Sequence, residues 1–179
     1  MWCPPMRRIP ERAAAALLTV WAAAAAAAAP KPQLEGPITV NADHAAWEQA
    51  GRMNYRGNVV LHSEADGLDM RGDQMEMVDH GRGQFEAHIT GDPVKMHHDA
   101  TDVQPEVNAQ ARGMTYDSVT GIVKLESGAW LTRGSDHMSG EHIRYDVNNR
   151  RIDASGKDGA QVRIVITPPP PKKKNSGPH

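Results

Sequence analysis

The sequence has almost no cysteine, few aromatic residues and no helical hydrophobic period of any length. Its one cysteine, Cys3, lies at the extreme amino terminus, so stability must come from packing and strand pairing rather than from disulfides. It contains one phenylalanine, and its larger apolar residues are mainly Met, Val, Ile and Leu. The formal net charge is −2, and outside the carboxyl-terminal tail there is no basic surface of the kind that nucleic acids require.

Motifs of catalysis are also absent. No serine or cysteine sits in a nucleophile motif, and there is no glycine-rich phosphate loop. His97 and His98, followed by Asp99 and Asp102, could suggest a metal site, but adjacent residues on a strand point to opposite faces, which is poor chelating geometry. Carboxylates are plentiful without a cluster that singles out a catalytic pair, although pairs brought together in space remain open. We therefore predict that the protein is not an enzyme and has no metal site and no cofactor.

The first 29 residues have the composition of a secretory signal peptide. Arg7, Arg8 and Arg12 precede an alanine-rich apolar run over residues 13–29 that ends in an A-x-A pattern. Because this run is at the lower limit for a membrane span and alanine is a poor anchor, cleavage fits better than an uncleaved transmembrane helix. We predict a signal peptide over 1–29, a linker over 30–36, a β-domain over 37–167 and a Pro/Lys-rich disordered tail over 168–179.

The stretch at residues 53–61 has the alternation of a half-buried strand. Met53, Tyr55, Val59 and Leu61 share one parity, which an extended chain places on one face. Residues 123–131 repeat the pattern about 70 positions later, and neighbouring phrases repeat in the same order, which indicates a duplicated unit. Turns are expected at residues 49–51, 63–67, 72–73, 79–83 and 91–93, so short strands separated by turns predict an all-β sandwich, barrel or roll.

Four short sequence motifs carry a resemblance to a known family. Residues 37–43 read Pro-Ile-Thr-Val-Asn-Ala-Asp, residues 57–59 read Gly-Asn-Val, and Gly-Asp and Gly-Glu occur at 72–73 and 140–141. In these motifs the sequence resembles the LptA/OstA-like family of periplasmic lipopolysaccharide transport proteins, whose members open on a Pro-Ile-x-Ile/Val-x-Ala/Ser-Asp phrase and have a Gly-Asn-Val strand and Gly-Asp/Glu turns. Each phrase is short, but their order is specific across the resemblance, which runs from about residue 37 to residue 166.

The resemblance implies a twisted, partly open antiparallel β-jelly-roll in the periplasm, built from two similar units and enclosing an apolar slot for the acyl chains of lipid A. Members stack head to tail through edge strands, between an LptC-like inner-membrane protein and an LptD-like outer-membrane protein. We therefore expect lipopolysaccharide, both Lpt proteins and further copies of this chain as partners. Two alternatives remain open: an LptC-like relative that keeps its amino-terminal helix, and a periplasmic carbohydrate-active β-domain.

Two sets of residues carry these expectations. The inward, lipid-binding set shares apolar character and strand parity: Ile38, Val40, Met53, Tyr55, Val59, Leu61, Leu68, Met70, Met75, Met77, Phe85, Met96, Val123, Leu125, Leu131, Met138, Ile143 and Tyr145. The partner edge strands, whose unpaired backbone groups are available for β-augmentation, are expected at Ile38, Thr39, Val40 and Asn41 and at Arg163, Ile164, Val165 and Ile166.

Overall fold

The computed structural model describes residues 36–156 and 161–168. The expected signal peptide (1–29), nearly all of the linker (30–36) and nearly all of the tail (168–179) lie outside these residues. Ten strands make up most of the described chain: β1 Ile38–Asn41, β2 His44–Trp47, β3 Arg52–Ser63, β4 Leu68–Gly81, β5 Gln84–His98, β6 Val107–Asp117, β7 Ile122–Arg133, β8 Asp136–Asp146, β9 Arg151–Ser155 and β10 Arg163–Val165. A short 3-10 turn, Gln49–Gly51, connects β2 to β3, where the sequence predicts a turn.

All ten strands belong to one antiparallel sheet. The path runs β1-β3-β4-β5-β6-β7-β8-β10, with β2 also paired to β3 and β9 also paired to β8. Strands β1 and β2 therefore divide the length of β3 between them, and β9 and β10 divide β8 in the same way. Because the two ends of the path do not pair with each other, the sheet is open, and the predicted all-β, partly open roll is confirmed.

Every long strand is interrupted near its middle by a shift in pairing register. These shifts separate Arg56 from Val59 in β3 and Thr90 from Val94 in β5, with equivalent shifts in the other long pairs. The turns expected at residues 72–73 and 91–93, and the turn matched at 140–141, are therefore wrong, because these residues are bends inside β4, β5 and β8. Bulges and turns both select Gly, Asp and Pro, so composition does not separate them.

The duplication is visible in the backbone φ angles as well as in the amino-acid sequence. Gly57 and Asn58 both have positive φ at the bend of β3, and Ser127 and Gly128 have positive φ at the bend of β7. These pairs occupy corresponding positions of the two repeated segments, residues 53–61 and 123–131. The two units therefore share an unusual left-handed bend in addition to an apolar parity.

The bends divide the sheet into two half-sheets. The first half-sheet contains β1, β10 and residues 59–63, 68–71, 94–98, 107–110, 129–133 and 136–140. The second half-sheet contains β2, β9 and residues 52–56, 74–81, 84–90, 113–117, 122–126 and 142–146. Their inner faces meet, since His98 of the first contacts Tyr145 of the second with ring centroids 5.8 Å apart. The space between the half-sheets is the core of the molecule, called the interior below.

Candidate functional site

The interior is a continuous apolar volume that collects every residue of the predicted inward set. Fourteen of the eighteen are buried in one core cluster, and the remaining four, Ile38, Val40, Tyr55 and Met138, are half-buried and pack against it. Cross-strand pairing explains this clustering, because Leu61, Met70 and Met96 are direct neighbours on successive strands. Strand parity is therefore sufficient to find these positions, while their contact with lipid stays a prediction.

Sequence reasoning missed a second group of core residues, most of them on β5 and β6. All of them are buried, and all except Val147, which follows β8, share the inward parity of their strands: Ala87, Ile89, Val94, Val107, Ala109, Ala111, Met114, Tyr116, Ala129 and Val147. The alternation from residue 107 to 116 would have found several of them. The small alanines, however, carry little hydrophobic signal of their own and are recognised only by their place in the ladder.

The apolar lining continues to both open edges of the sheet, where it becomes exposed. At one edge Val40 is half-buried, and Trp47 on β2 is 76% exposed. At the other edge Ile164 pairs with Met138 and is 55% exposed, while Ile166 is 72% exposed. Within the described part of the chain, apolar side chains are therefore exposed where the sheet stops.

A small cavity of about 110 Å³ opens at this second edge and forms the mouth of the interior. Its lining is mainly apolar, with a few polar groups at the margin, and includes Leu131, Met138, Ile152, Ile164, Ile166 and Arg133. Among the described residues the interior is otherwise filled by side chains, since residues such as Met70 and Leu125 have no exposed surface. Acyl chains would therefore require the interior to widen.

One polar group is buried inside this apolar lining. The His98 side chain lies between Tyr145 and Arg150, with Nδ1 2.7 Å from the Tyr145 hydroxyl and Nε2 3.0 Å from the Arg150 guanidinium. Because the guanidinium only donates, Nε2 accepts, and the proton of the neutral ring is on Nδ1. Burial, reinforced by the Arg150 charge, lowers the pKa of His98 to about 4, and burial raises the pKa of Tyr145 to about 12.

Arg150 connects two segments that close one side of the interior. It lies in the turn between β8 and β9, and its guanidinium donates to the carbonyl oxygens of Pro105 (3.1 Å) and Asp99 (2.5 Å) in the loop between β5 and β6. A second contact joins the half-sheets where the Tyr116 hydroxyl donates to Asp66 (3.4 Å). Burial, with the nearby Asp66 carboxylate, raises the pKa of Tyr116.

The histidine pair behaves as strand geometry requires. His98 is buried, whereas the side chain of His97 faces outward and its Nδ1 donates a hydrogen bond to Asn108 Oδ1 at 2.7 Å. Over residues 36–156 and 161–168, no group of three or more His, Cys, Asp or Glu side chains is arranged to hold a metal ion. The site defined by the described residues is an apolar interior that includes a few hydrogen-bonded polar side chains.

The expected edge strands coincide with the two ends of the sheet, apart from one residue. Strand β1 spans Ile38–Asn41, and its only partner is β3. Strand β10 spans Arg163–Val165 and pairs only with β8, so Ile166 lies just outside the strand. Each edge thus leaves one side of its backbone without a partner among the described residues, while pairing with another molecule stays a prediction.

These features define an antiparallel β-jelly-roll with an apolar interior that is open at both edges. The sequence matches the family described as LptA/(LptD N-terminal domain) LPS transport protein over residues 39–151. The chain belongs to this family, since the match covers more than half of its length. Among the described residues, no helix is long and apolar enough to cross a membrane.

One solved structure gives an independent comparison of the fold. It is LptH from Pseudomonas aeruginosa, described as the LptA homologous periplasmic component of the conserved lipopolysaccharide transport device. The TM-score is 0.69 at 22% sequence identity, covering 76% of this chain and 99% of that chain. The two proteins therefore share a fold. Among curated proteins, no sequence matches this chain at a significant level.

Proposed function

We propose that this chain is a periplasmic bridge protein that binds lipopolysaccharide and carries it from the inner to the outer membrane. The observation that carries the proposal is the apolar lining, which runs through the interior and emerges at both open edges of the sheet. Transport along such a lining needs no catalyst. Each methylene group of an acyl chain that leaves water contributes roughly 0.8 kcal/mol, so partial insertion of several chains is enough for retention.

The lining is chemically suited to an irregular acyl ligand. Methionine is unusually frequent in it, at Met53, Met70, Met75, Met77, Met96 and Met114. Its side chain is unbranched and polarizable, so it adapts to varied apolar shapes better than β-branched residues do. In the absence of lipid these side chains fill the interior, and in its presence they line a wider one.

Assembly uses the two open edges. We assign β1 and β10 as edges that pair head to tail with an LptC-like protein, an LptD-like protein or another copy of this chain. Pairing of unlike edges does not close on itself, so it generates a linear row of jelly-rolls. The exposed Ile164 and Ile166 become covered when a neighbouring roll extends the sheet.

Photocrosslinking from defined positions tests lipid carriage. Benzoylphenylalanine replaces Tyr55 or Leu125, which face the interior, and Arg56 or Lys124, which are the exposed neighbours on the same strands. Mature protein loaded with labelled lipopolysaccharide should crosslink from the first pair and not from the second. Equal labelling from both pairs, or none from either, rules out carriage through the interior.

Disulfide trapping tests the assembly separately. The sequence has no cysteine after Cys3, so Ile38→Cys and Val165→Cys introduce single thiols at opposite edges of the mature protein. A mixture of the two variants should form disulfide-linked dimers under mild oxidation, whereas Lys124→Cys, on the outer face, should not. Absence of mixed dimers at concentrations where the protein associates contradicts head-to-tail pairing.

The leader is tested by amino-terminal sequencing of the exported protein. We expect removal of residues 1–29, which leaves a periplasmic chain without the alanine-rich segment. An intact amino terminus in the membrane fraction would instead identify an LptC-like anchored relative.

A further inference from the structure

The outer face of the first half-sheet carries a row of basic and aromatic side chains. Cross-strand pairing places its members side by side, because Arg71 pairs with Lys95, Lys95 with Gln110, Gln110 with Trp130, Trp130 with Ser139 and Ser139 with Arg163. We call these six residues the cationic row. At a strand spacing of about 4.8 Å, the row extends about 24 Å across six strands.

The charges of the cationic row lack acidic partners. Of the ion pairs formed within residues 36–156 and 161–168, none involves Arg71, Lys95 or Arg163. The outer face of the second half-sheet differs, because there Arg52 pairs with Glu76 and Arg144 pairs with Asp153. Positive charge is therefore concentrated on one face of a chain whose formal net charge is −2, which favours an anionic ligand on that face.

The neighbouring row of the same face contains three histidines. Across the strands it consists of His62, Asp69, His97, Asn108, Thr132 and His137, in this order. The hydrogen bond to Asn108 is the largest influence that raises the pKa of His97, and it outweighs partial burial. When His97 is protonated, the Asp99 carboxylate 3.2 Å away and Asp69 on the neighbouring strand offset part of its charge.

Trp130 adds an aromatic surface and an adjacent depression to this charged face. Its indole is 37% exposed and stacks on His137, with centroids 5.9 Å apart and 23° between the planes. The two rings line an open depression of about 280 Å³ together with Met138, Ser139, Arg163 and Val165. An aromatic face beside an arginine suits a sugar ring, whose C–H face packs on indole while an attached phosphate accepts hydrogen bonds from guanidinium.

We propose that the cationic row binds the phosphorylated sugars of lipopolysaccharide, outside the interior that holds the acyl chains. This inference rests on the proposed function, and continuity along β8 supports it. His137 and Met138 line both the mouth of the interior and the depression at Trp130. An amphiphile whose chains occupy the mouth therefore has its anionic saccharide next to the row. A membrane surface fits less well, because the indole lies in a depression rather than projecting as an insertion wedge.

The direct test measures binding of a lipid-free saccharide. The probe is the phosphorylated core oligosaccharide obtained from lipopolysaccharide after removal of the acyl chains, titrated calorimetrically into the mature protein. Arg71→Glu/Lys95→Glu reverses two charges of the row and should weaken binding roughly tenfold or more, while reducing the dependence on salt. Trp130→Ala should weaken binding roughly fivefold with its salt dependence unchanged.

The matched control is Arg56→Glu/Lys124→Glu, which makes the same change in net charge on the outer face of the second half-sheet. It should leave oligosaccharide affinity within about twofold of the unmodified protein. All variants alter exposed side chains, and thermal unfolding checks that each is folded. Equal weakening by the two double variants, unchanged affinity in Trp130→Ala, or no binding by the unmodified protein overturns the proposal.

Two parallel measurements separate this proposal from others. Uptake of intact lipopolysaccharide without oligosaccharide binding overturns the saccharide site and leaves the bridge function standing. Oligosaccharide binding without uptake of lipopolysaccharide supports the saccharide site and overturns the bridge function. Binding through Arg71 and Lys95 to vesicles of phosphatidylcholine and phosphatidylglycerol, without oligosaccharide binding, would identify the row as a membrane contact and overturn its assignment to sugars.

Discussion

At the scale of single residues, the buried imidazole of His98 couples stability to pH. Its pKa is about 4 in the folded protein against 6.5 for the free side chain, so the unfolded chain binds the proton more tightly. The contribution of this group is fully present above about pH 6.5 and is lost as the pH falls towards 4. The resulting loss in unfolding free energy is roughly 3 kcal/mol at most, spread over this window.

Replacement by an uncharged residue should remove this dependence. Urea unfolding of the unmodified protein and of His98→Gln, measured at several pH values from 7 to 4.5, should give a smaller decline in the variant. The carboxylates contribute equally to both curves, so the difference between them isolates His98. Parallel curves would mean that the pKa of His98 is the same in the folded and the unfolded protein, which contradicts this prediction.

At the scale of elements, the left-handed bends in β3 and β7 offer a comparison between corresponding segments of the two units. Gly57 has φ +77°, and a Cβ there would collide with the carboxylate of Asp43. That carboxylate accepts a hydrogen bond from Asn58 (2.8 Å) and lies in the connection between β1 and β2. Gly128 has φ +73°, and a Cβ there meets nothing within 4 Å.

Alanine at the two bends should therefore have unequal effects. Gly128→Ala incurs only the left-handed backbone cost of about 1–2 kcal/mol, measured as the change in unfolding free energy. Gly57→Ala adds displacement of Asp43, so its loss should be larger, and hydrogen exchange should accelerate in β1 and β2. Equal losses would show that the Asp43 contact is unimportant for the edge of the sheet.

Arg150 makes a second element-level connection, between the β8–β9 turn and the β5–β6 loop. Arg150→Ala removes donors to Pro105, Asp99 and His98, and we expect a loss of about 1–3 kcal/mol in unfolding free energy. Uptake of lipopolysaccharide should become faster, because this connection closes one side of the interior. The neighbouring variant Arg151→Ala is the control, since its partner Asp153 is exposed and such pairs contribute about 0–1 kcal/mol. Slower uptake in Arg150→Ala would contradict this view of the closed side.

Strand parity predicts the inner lining but not the path of the chain. Leu61, Leu125 and their equivalents are recognisable because alternation has a period of two and survives the bends. The bends themselves resemble turns in composition, so β4 and β5 are each divided in two by sequence reasoning. Tyr145 and Arg150 lie about 50 positions after His98 along the chain, and only the meeting of the half-sheets brings them next to it.

At the scale of the whole molecule, the two open edges predict association that depends on concentration. Ile164→Asp places a charge on the exposed apolar edge at β10 and should weaken self-association by roughly tenfold in sedimentation equilibrium. Because Ile164 is 55% exposed, the unfolding free energy should change by about 0.5 kcal/mol or less. Lys124→Asp, which replaces a positive charge by a negative one on the outer face, should leave association unchanged. Identical association of both variants would exclude β10 from the contact.

The aligned register shifts give the molecule a crease that crosses the strands from β3 to β8. On each side of this crease the ladder of hydrogen bonds is independent of the other side. Separation of the half-sheets along this crease would break packing contacts between methionines and aliphatic side chains, together with the polar contacts His98–Tyr145 and Tyr116–Asp66, while the ladder bonds within each half-sheet stay made. Most of the work of admitting a guest is then hydrophobic, and the guest's own hydrocarbon restores that part of it.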